Sequence, residues 1–525
     1  MLDDSFLQPA THADALQPRA GAREWAGLAL LALPTLLLGL DLTLLHLALP
    51  ALAADLRPTS TQALWIVDAY GFMIAGFLIT MGALGDRIGR RKLLMIGAAA
   101  FGAASVMAAC ATSANMLIAA RAVLGIAGAT LMPSTLALIS NLFRLPRQRA
   151  LAIGVWATMF ALGMAAGPVV GGVLLDRYGW AAAFLVALPV VALLLIAAPF
   201  ALPEYRAPRQ GRLDLRSVAL SLLGLLPIVY AIKQFAKDGV GLGAAVAMVA
   251  GLAFALAFVR RQRRLSDPLI DLDLFCSRAF SVALLVLLVG LIGVGGTMLL
   301  VTQYLQLVAG LSPLAAGLWM GPPALAMLVA GIAAPVLVRR IRPGYVIAMA
   351  LGLSVLGYLI MSLLDAGPRG IALATAAFSL VYLGLGTIAA LGTELVVGAA
   401  PLEKAGSASA LSETVQELGL ALGVAALGSL STAIYRNAMS DANGASARAL
   451  PGAVSDSLAG ARSLAPELPA AVLEQAQAAF MAGFNAAAAT SAVSTAVLAA
   501  LAAIALRHIG AGDGAASAPP QKTRP

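Results

Sequence analysis

The sequence contains few of the residues that build metal centres, disulfide frameworks and water-exposed surfaces. Its 525 residues include only two cysteines, Cys110 and Cys276, and three histidines. These numbers exclude a disulfide framework and a four-thiolate metal site, and they leave little for a multi-histidine metal centre. Charged residues make up 11% of the chain and hydrophobic residues 61%, whereas soluble domains carry about 25% charged residues. We therefore predict an integral membrane protein with no metal and no bound cofactor.

The first 24 residues lack the apolar core of a secretory signal peptide. They carry Asp3, Asp4, Asp14 and Glu24 instead. We expect residues 1–24 to form a cytoplasmic segment and the first apolar run to be a true membrane span.

Fourteen apolar runs follow between residues 26 and 506, at lengths that suit helices of roughly 20 residues across a bilayer. The runs are continuous rather than alternating with period two, which favours helices over strands. We predict an all-α fold with fourteen spans.

Lys and Arg are retained in loops on the cytoplasmic side of a membrane. With the N terminus inside, the inside loops hold 25 of the 34 Lys and Arg residues, and Arg121 lies within a span. The outside loops hold eight: Arg57, Arg177, Lys233, Lys237, Arg369, Arg436, Arg448 and Arg462. A wrong helix count would mix the two classes, so the sorting predicts fourteen spans with both termini cytoplasmic. The net charge of +9 then suits anionic lipid and requires no nucleic-acid partner.

The loop between spans two and three combines glycines with one acid and several arginines. Glycines allow tight turns, and a carboxylate among arginines forms charge-assisted pairs that hold helices together. An ordinary basic loop is the alternative. The residues at this spacing are Gly82, Gly85, Asp86, Arg87, Gly89, Arg90 and Arg91.

This loop resembles the signature of the major facilitator superfamily, G-x-L-[GA]-D-R-x-G-R-[RK]. The resemblance implies two six-helix bundles that surround a central cavity and rock to expose it to each side in turn. It also implies a gating latch that closes the cytoplasmic side in the outward-open state. The latch residues are Gly82, Asp86, Arg87, Gly89, Arg90 and Arg91.

Span five carries a second spaced set of residues, namely Gly154, Gly163, Gly167, Pro168, Gly171 and Gly172. Gly163, Gly167 and Gly171 recur every four residues, so they line one helix face and permit close backbone packing. Generic packing glycines are the alternative. The full pattern is similar to the family's antiporter motif, G-x8-G-x3-G-P-x2-G-G, which implies export rather than uptake.

Arg121 lies inside span four, where an unpaired guanidinium costs several kcal/mol. Asp41 in span one is the candidate partner, since both residues lie about 9–13 Å below the outer ends of their helices. The family's span-four motif is matched at Arg121 and Gly125, but Leu124 replaces its polar residue.

Span one ends in a stretch from Leu40 to Pro50, and span two begins with Trp65 to Tyr70. They resemble L-D-x-T-[IV]-[VL]-N-x-A-L-P and W-[IV]-x-x-[AS]-Y, marks of the fourteen-span drug:proton antiporters in that superfamily. His46 stands where Asn is more usual. It is either a neutral hydrogen-bonded residue or a proton relay.

Glu413 and Glu417 lie one turn apart on one face of span thirteen, about 13–20 Å from its cytoplasmic end. Two desolvated carboxylates repel each other, so at least one is expected to bind a proton near neutrality. A cationic ligand would displace that proton, which suffices for exchange. The alternative is a structural hydrogen-bonded cluster with Ser409, Ser412 and Gln416.

Asp68 lies near the outer mouth, where it either receives substrate or caps a helix. Trp65 and Tyr70 beside it can stack on a delocalised cation, although Trp65 also suits an interfacial aromatic belt. The resemblance extends to exporters of methyl viologen and quaternary ammonium antiseptics, the SmvA and QacA types. Their key residues correspond to Asp41, Asp68, Trp65, Tyr70 and Glu413.

The resemblance divides the chain into an N-terminal bundle at 25–204, two extra helices at 205–264 and a C-terminal bundle at 265–509. The last includes an extracytoplasmic loop at 437–479, either a partly helical connection or a gating element. Residues 510–525 are expected to be a disordered cytoplasmic tail.

We predict a monomeric, non-enzymatic antiporter in the bacterial inner membrane that exchanges protons for lipophilic organic cations. These include quaternary ammonium compounds, biguanides, dyes and methyl viologen. Proton coupling is assigned to Asp41, Arg121 and Glu413, and substrate binding to Asp68, Glu413, Glu417, Trp65 and Tyr70. The alternative is a major facilitator exporter of an endogenous amphiphile, peptide or siderophore.

Overall fold

The computed structural model describes residues 20–143, 145–206, 214–239, 241–265, 268–367, 369–400, 405–445 and 451–506. Within these ranges the chain forms helices and no strand, and fourteen helices are long and apolar enough to cross a membrane. This confirms the predicted all-α fold and the number of spans. The predicted disordered tail at 510–525 and most of the predicted N-terminal segment lie outside the described residues.

We number these helices α1 to α14, in correspondence with spans one to fourteen. Their bounds are α1 Ala22–Leu56, α2 Ser60–Ile88, α3 Arg90–Ala109, α4 Ala114–Leu142, α5 Pro146–Tyr178, α6 Ala182–Ala201, α7 Leu215–Asp238, α8 Leu242–Gln262, α9 Arg278–Val308, α10 Pro313–Leu337, α11 Pro343–Met361, α12 Gly370–Gly398, α13 Ala405–Ala445 and α14 Ala470–Ala505.

Short polar caps set several of the helix starts. The Thr59 hydroxyl accepts a hydrogen bond from the backbone N–H of Gln62 at 3.3 Å, and the Gln62 side chain accepts one from Thr59 N at 3.0 Å. At the starts of α4 and α10, the hydroxyls of Ser113 and Ser312 each accept one hydrogen bond, from the backbone N–H groups of Met116 and Ala315. These side chains satisfy amide groups that would otherwise lack partners at the first turn.

The helices form two six-helix bundles, α1–α6 and α9–α14. In the first bundle α1 packs on α5 and α2 on α4, and in the second α9 packs on α13 and α12 on both α10 and α11. The bundles meet where α2 contacts α13 and where α5 contacts α10. The α7–α8 hairpin lies beside this interface, because α7 packs on both α2 and α13.

One end of the molecule gathers the arginine-rich loops, and we call it the basic end. Arg91 at the start of α3 donates from Nη1 to the carbonyl oxygens of Pro199 and Leu202 at the end of α6, at 3.1 and 2.9 Å. Arg23 at the start of α1 donates to the carbonyl oxygen of Phe200 at 3.2 Å. These contacts place the first turn of α1, the start of α3 and the last turn of α6 at the same end.

A bidentate ion pair closes the α7–α8 hairpin at the basic end. Arg261 donates from Nε and Nη2 to the two carboxylate oxygens of Asp214, at 2.8 and 2.9 Å. The Arg261 guanidinium, helped by hydrogen bonds from Ser217, lowers the pKa of Asp214 to about 2. The carboxylate therefore stays ionised well into the acidic range, and the pair keeps the ends of α7 and α8 together.

The described residues of the segment 437–479, namely 437–445 and 451–479, are mostly helical and lie at the end opposite the basic one. After α13 they form two short helices, Gly452–Asp456 and Leu458–Ser463. Asp456 accepts hydrogen bonds from Arg436 Nη1 at 2.9 Å and from the backbone N–H of Ser60 at 3.4 Å. The segment thus links α13 of one bundle to α2 of the other. The expectation of a partly helical connection is met, and a gating role stays a prediction.

Candidate functional site

A cavity of about 400 Å³ lies between the two bundles, in the half of the molecule nearer the basic end. Helices α4 and α5 form one wall, and α9, α10, α12 and α13 form the other. The lining residues are Met132, Trp156, Ala157, Thr158, Phe160, Ala161, Met164, Leu291, Met327, Leu328, Gly331, Ile332, Leu385, Gly386, Ala389, Ala390, Thr393, Glu413, Gln416, Glu417 and Leu420. Its size suits a drug-sized molecule, since such pockets measure about 300–1,000 Å³.

Both glutamates of α13 line this cavity, as expected from their shared helix face. Glu417 is 5% exposed, and its Oε2 has no hydrogen-bond partner among the described residues. The neighbouring polar groups bond to each other instead, since Gln416 Nε2 donates to Thr393 Oγ1 and Ser412 Oγ at 3.4 Å. Ser412 and Gln416 of the predicted structural cluster are therefore bonded to Thr393 and to each other, while both carboxylates line the cavity.

Most of the remaining wall is apolar or aromatic, and sequence reasoning did not single out these apolar and aromatic residues. Trp156 and Phe160 come from α5, and methionines from α4, α5 and α10 complete the surface. Trp156 Nε1 donates to Thr135 Oγ1 at 3.0 Å, so its polar edge is satisfied within the first bundle. Among the lining residues of the described chain, none is basic. The one available signal was the lone tryptophan inside span five.

Arg121 joins three helices of the first bundle. Its Nη1 lies 2.8 Å from Asp41 Oδ2, which confirms the partner predicted from helix depth. Its Nε donates to the carbonyl oxygen of Ile66 at 3.2 Å, and its guanidinium carbon lies 4.3 Å from the centre of the Tyr70 ring. The buried guanidinium is therefore held on α1 and α2 by a charge, a hydrogen bond and a cation–π contact.

A second void, of about 40 Å³, continues from the cavity toward the opposite end. Glu417, Met164 and Leu420 line both spaces. Tyr70 and His46 belong to this smaller void and not to the large cavity, and Tyr70 OH and His46 Nδ1 have no hydrogen-bond partner among the described residues. The void is mostly apolar, but it contains these polar groups and is large enough for water.

Asp68 is paired with a cation of the chain itself. Lys233 Nζ on α7 lies 2.7 Å from Asp68 Oδ2 and 3.9 Å from the centre of the Trp65 ring. Both charged side chains are 0% exposed. The prediction that Lys233 lies in an outside loop is wrong, because α7 extends to Asp238 and the buried ammonium has a carboxylate partner. Asp68 and Trp65, predicted to bind substrate, do not line the large cavity.

Comparison with known proteins places the chain in a family. The model of the Major Facilitator Superfamily matches residues 31–424. The chain belongs to this superfamily. It is therefore a multi-pass membrane transporter and not an enzyme.

Several members of the superfamily are similar over almost their full length. The multidrug efflux pump LfrA of Mycolicibacterium smegmatis is 42% identical, with 93% of this chain and 98% of LfrA covered. The methyl viologen resistance protein SmvA of Salmonella typhimurium is 34% identical, with 87% and 93% covered. A bacterial homologue of the lysosomal transporter Spinster, solved inward-facing and unoccupied, shares the fold with a TM-score of 0.66 at 16% identity, with 93% and 97% covered.

The superfamily loop between α2 and α3 makes its described contacts within the first bundle. Asp86 pairs with Arg90 at 2.6 Å, and Arg90 Nη1 donates to the carbonyl oxygen of Pro133 on α4 at 3.3 Å. Gly89 has a φ of +112°, a backbone conformation that favours glycine, and a Cβ there would lie 2.6 Å from the carboxylate at the end of the Glu204 side chain. The latch that closes the cytoplasmic side in the outward-open state stays a prediction.

The antiporter motif of α5 faces two different helices. A Cβ at Gly163 would meet the carbonyl oxygen of Leu36 on α1, and one at Gly167 would meet the Thr43 hydroxyl. Gly172 faces the other bundle, where a Cβ would lie 2.7 Å from Leu314 Cα at the start of α10. Gly154 is different, since nothing lies within 4 Å of a Cβ there. The predicted close packing is confirmed, and part of it lies between the bundles.

Proposed function

We propose that the protein is a proton-coupled multidrug efflux antiporter for lipophilic organic cations. The observation that carries the proposal is the cavity itself, whose acidic lining groups are Glu413 and Glu417 on largely apolar and aromatic walls. Such a surface favours a flat, apolar molecule with positive charge, and it disfavours anions. Quaternary ammonium compounds, biguanides, dyes and methyl viologen all have this chemistry, and SmvA is named for resistance to methyl viologen.

Exchange follows from competition for the two carboxylates. A buried glutamate without a hydrogen-bond partner is stabilised either by a proton or by the positive charge of a ligand. A cation that enters the cavity displaces the proton, and a proton that arrives displaces the cation. Because the site cannot hold a proton and a cation at once, it couples the flow of protons in one direction to the flow of cations in the other.

We propose that the basic end faces the cytoplasm of a bacterial cell, across its inner membrane, with both termini inside. The positive-inside rule supports this orientation. The cavity lies toward the basic end, and the close contacts of Gly172 with α10 and of Gly428 with Leu64 on α2 lie toward the opposite end. In that orientation the described conformation is inward-facing and ready to accept a cation from the cytoplasm.

The proton path is assigned to Asp41 and Arg121 together with Glu413. Arg121 and Glu417 line the small void, and Asp41 is paired with Arg121. A proton can therefore pass between the first bundle and the cavity through ordered water. Protonation of Asp41 would free the Arg121 guanidinium, which holds α4 on α1 and α2. That change offers a link between proton binding and helix rearrangement.

The proposal is tested by dye transport into everted membrane vesicles with an acidic lumen. Ethidium and propidium share one ring system but carry one and two positive charges, so they form a matched pair of probes. We expect both to accumulate in vesicles that contain the protein, and a protonophore to abolish the accumulation. Transport that persists after collapse of the pH gradient would contradict proton coupling. Failure of both dyes, with export of an amphiphile, peptide or siderophore instead, would favour the alternative cargo.

Replacing Glu413 by glutamine is expected to reduce propidium transport by about tenfold more than ethidium transport. A dication depends on both carboxylates, whereas a monocation can use Glu417 alone, and a tenfold ratio corresponds to about 1.4 kcal/mol. The measurement is the initial rate of uptake of each dye into everted vesicles. Glu394→Gln is the matched control, because Glu394 is exposed on α12 and does not line the cavity. Equal losses for the two dyes would assign Glu413 to proton coupling.

A further inference from the structure

The contacts of Lys233 place a positive charge in a site with the chemistry of an organic-cation binding site. Its ammonium lies 2.7 Å from a carboxylate oxygen of Asp68 and 3.9 Å from the centre of the Trp65 ring. A carboxylate combined with the face of a tryptophan is an arrangement that binds ammonium groups well. Asp68 Oδ1 has no hydrogen-bond partner among the described residues, so the carboxylate retains capacity for a second ligand.

This site lies on the route out of the cavity. The large cavity leads past Glu417 into the small void, and Asp68 lines that void on the side of α2. A cation that moves from the two glutamates toward the opposite end therefore meets Asp68 as the next carboxylate along its path.

The helix that carries Lys233 is placed to respond when the bundles move. Helix α7 packs against α2 of the first bundle and α13 of the second. Phe72 of α2, Val229 of α7 and Ala421 of α13 form one buried apolar cluster beside the ion pair. Separation of α2 from α13 changes both surfaces on which α7 rests, and with them the position of its lysine.

We infer, on the basis of the proposed function, that Lys233 is a tethered competitor that occupies the Asp68–Trp65 site against the exported cation. In the described conformation it fills the site, so a cation entering from the basic end binds at the glutamates only. When the opposite end opens, Lys233 leaves Asp68 and a cation can bind there. The return of Lys233 to Asp68 then displaces that cation. The α7–α8 hairpin thereby favours release of the exported cation over its rebinding.

The first test measures ethidium binding to the purified full-length protein by fluorescence. Lys233→Gln removes the charge and keeps a hydrogen-bond donor for Asp68. We expect this variant to bind ethidium about tenfold more tightly than the unmodified protein, and to export it more slowly from vesicles. The gain in affinity is expected to vanish in the double variant Asp68→Asn/Lys233→Gln. An unchanged dissociation constant in Lys233→Gln, or a gain that persists in the double variant, would overturn the inference.

The second test does not depend on a stable single variant. Lys233→Ala leaves the Asp68–Trp65 site without its ammonium and is expected to lower the stability of the protein. The measurement is how much of that stability an added ligand restores. We expect butylammonium to raise the thermal unfolding midpoint of this variant, and butanol at the same concentration to have no such effect. Equal responses to the two compounds, or the same rise in Asp68→Asn/Lys233→Ala, would show that the site does not recognise a cation.

A negative result in either test can be distinguished from failure of the proposed function. If the unmodified protein neither binds nor exports ethidium, the proposed cargo is wrong. If it does both while the Lys233 variants behave like it, only the competitor role is wrong, and the ion pair then serves to hold α7 on α2.

Discussion

Asp41→Asn is expected to abolish proton-driven export of both ethidium and propidium. An amide cannot take up and release a proton, and it leaves the guanidinium of Arg121, which is 1% exposed, without its carboxylate. Removal of one partner from a buried ion pair costs about 3–5 kcal/mol. We therefore expect a lower unfolding midpoint together with uptake into everted vesicles at the background of membranes without the protein.

A double variant separates loss of coupling from loss of folding. Asp41→Asn combined with Arg121→Gln removes both charges, and we expect it to recover much of the lost stability. Driven uptake is expected to stay at background, while downhill equilibration of ethidium across proteoliposomes returns. Recovery of driven uptake in the double variant would contradict a coupling role and leave the pair as a structural link between α1 and α4.

Gly163→Ala is expected to prevent the protein from folding to a stable state. The new methyl group would overlap the carbonyl oxygen of Leu36, which belongs to the main chain of α1 and cannot move by changing rotamer. Overpacking costs about 1–3 kcal/mol where side chains can shift, so a backbone contact lies at the upper end of that range or above it. The measurement is the yield of monodisperse protein in detergent and its unfolding midpoint.

The chain provides a matched control on the same helix and in the same motif. Gly154→Ala adds the same methyl group where nothing lies within 4 Å. Because alanine is favoured over glycine in a helix by about 1 kcal/mol, this variant is expected to be as stable as the unmodified protein or more so. Similar yields for the two variants would show that α1 and α5 can separate without cost.

The number and type of spans could be predicted because each depends on local composition. A run of apolar residues is helical in a bilayer wherever its neighbours lie, since the backbone must satisfy its own hydrogen bonds there. The shared face of Glu413 and Glu417 follows from their spacing alone. Similarly, the pairing of Asp41 with Arg121 followed from depth, because one buried charge requires another nearby and few were available.

Lys233 shows where such reasoning is insufficient. Near the end of an apolar run, a lysine in a loop and a lysine buried in a helix have the same local sequence. The choice depends on whether a carboxylate of another helix reaches it, and Asp68 lies far away in the chain. The same limit applies to Trp156 and Phe160, whose role as cavity walls depends on which face of α5 turns toward the second bundle.

The chain's composition and spacing alone therefore determined a fourteen-helix membrane protein with acidic groups on one face of α13 and a glycine face on α5, and the resemblance of its motifs indicated a transporter. The tertiary structure decided which of these groups share a space: both glutamates line the cavity, while Asp68 is held by Lys233. The physical reason is that helix formation and insertion depend on neighbouring residues in sequence. The partner of a buried charge and the wall of a cavity depend on contacts between helices that are distant in the chain.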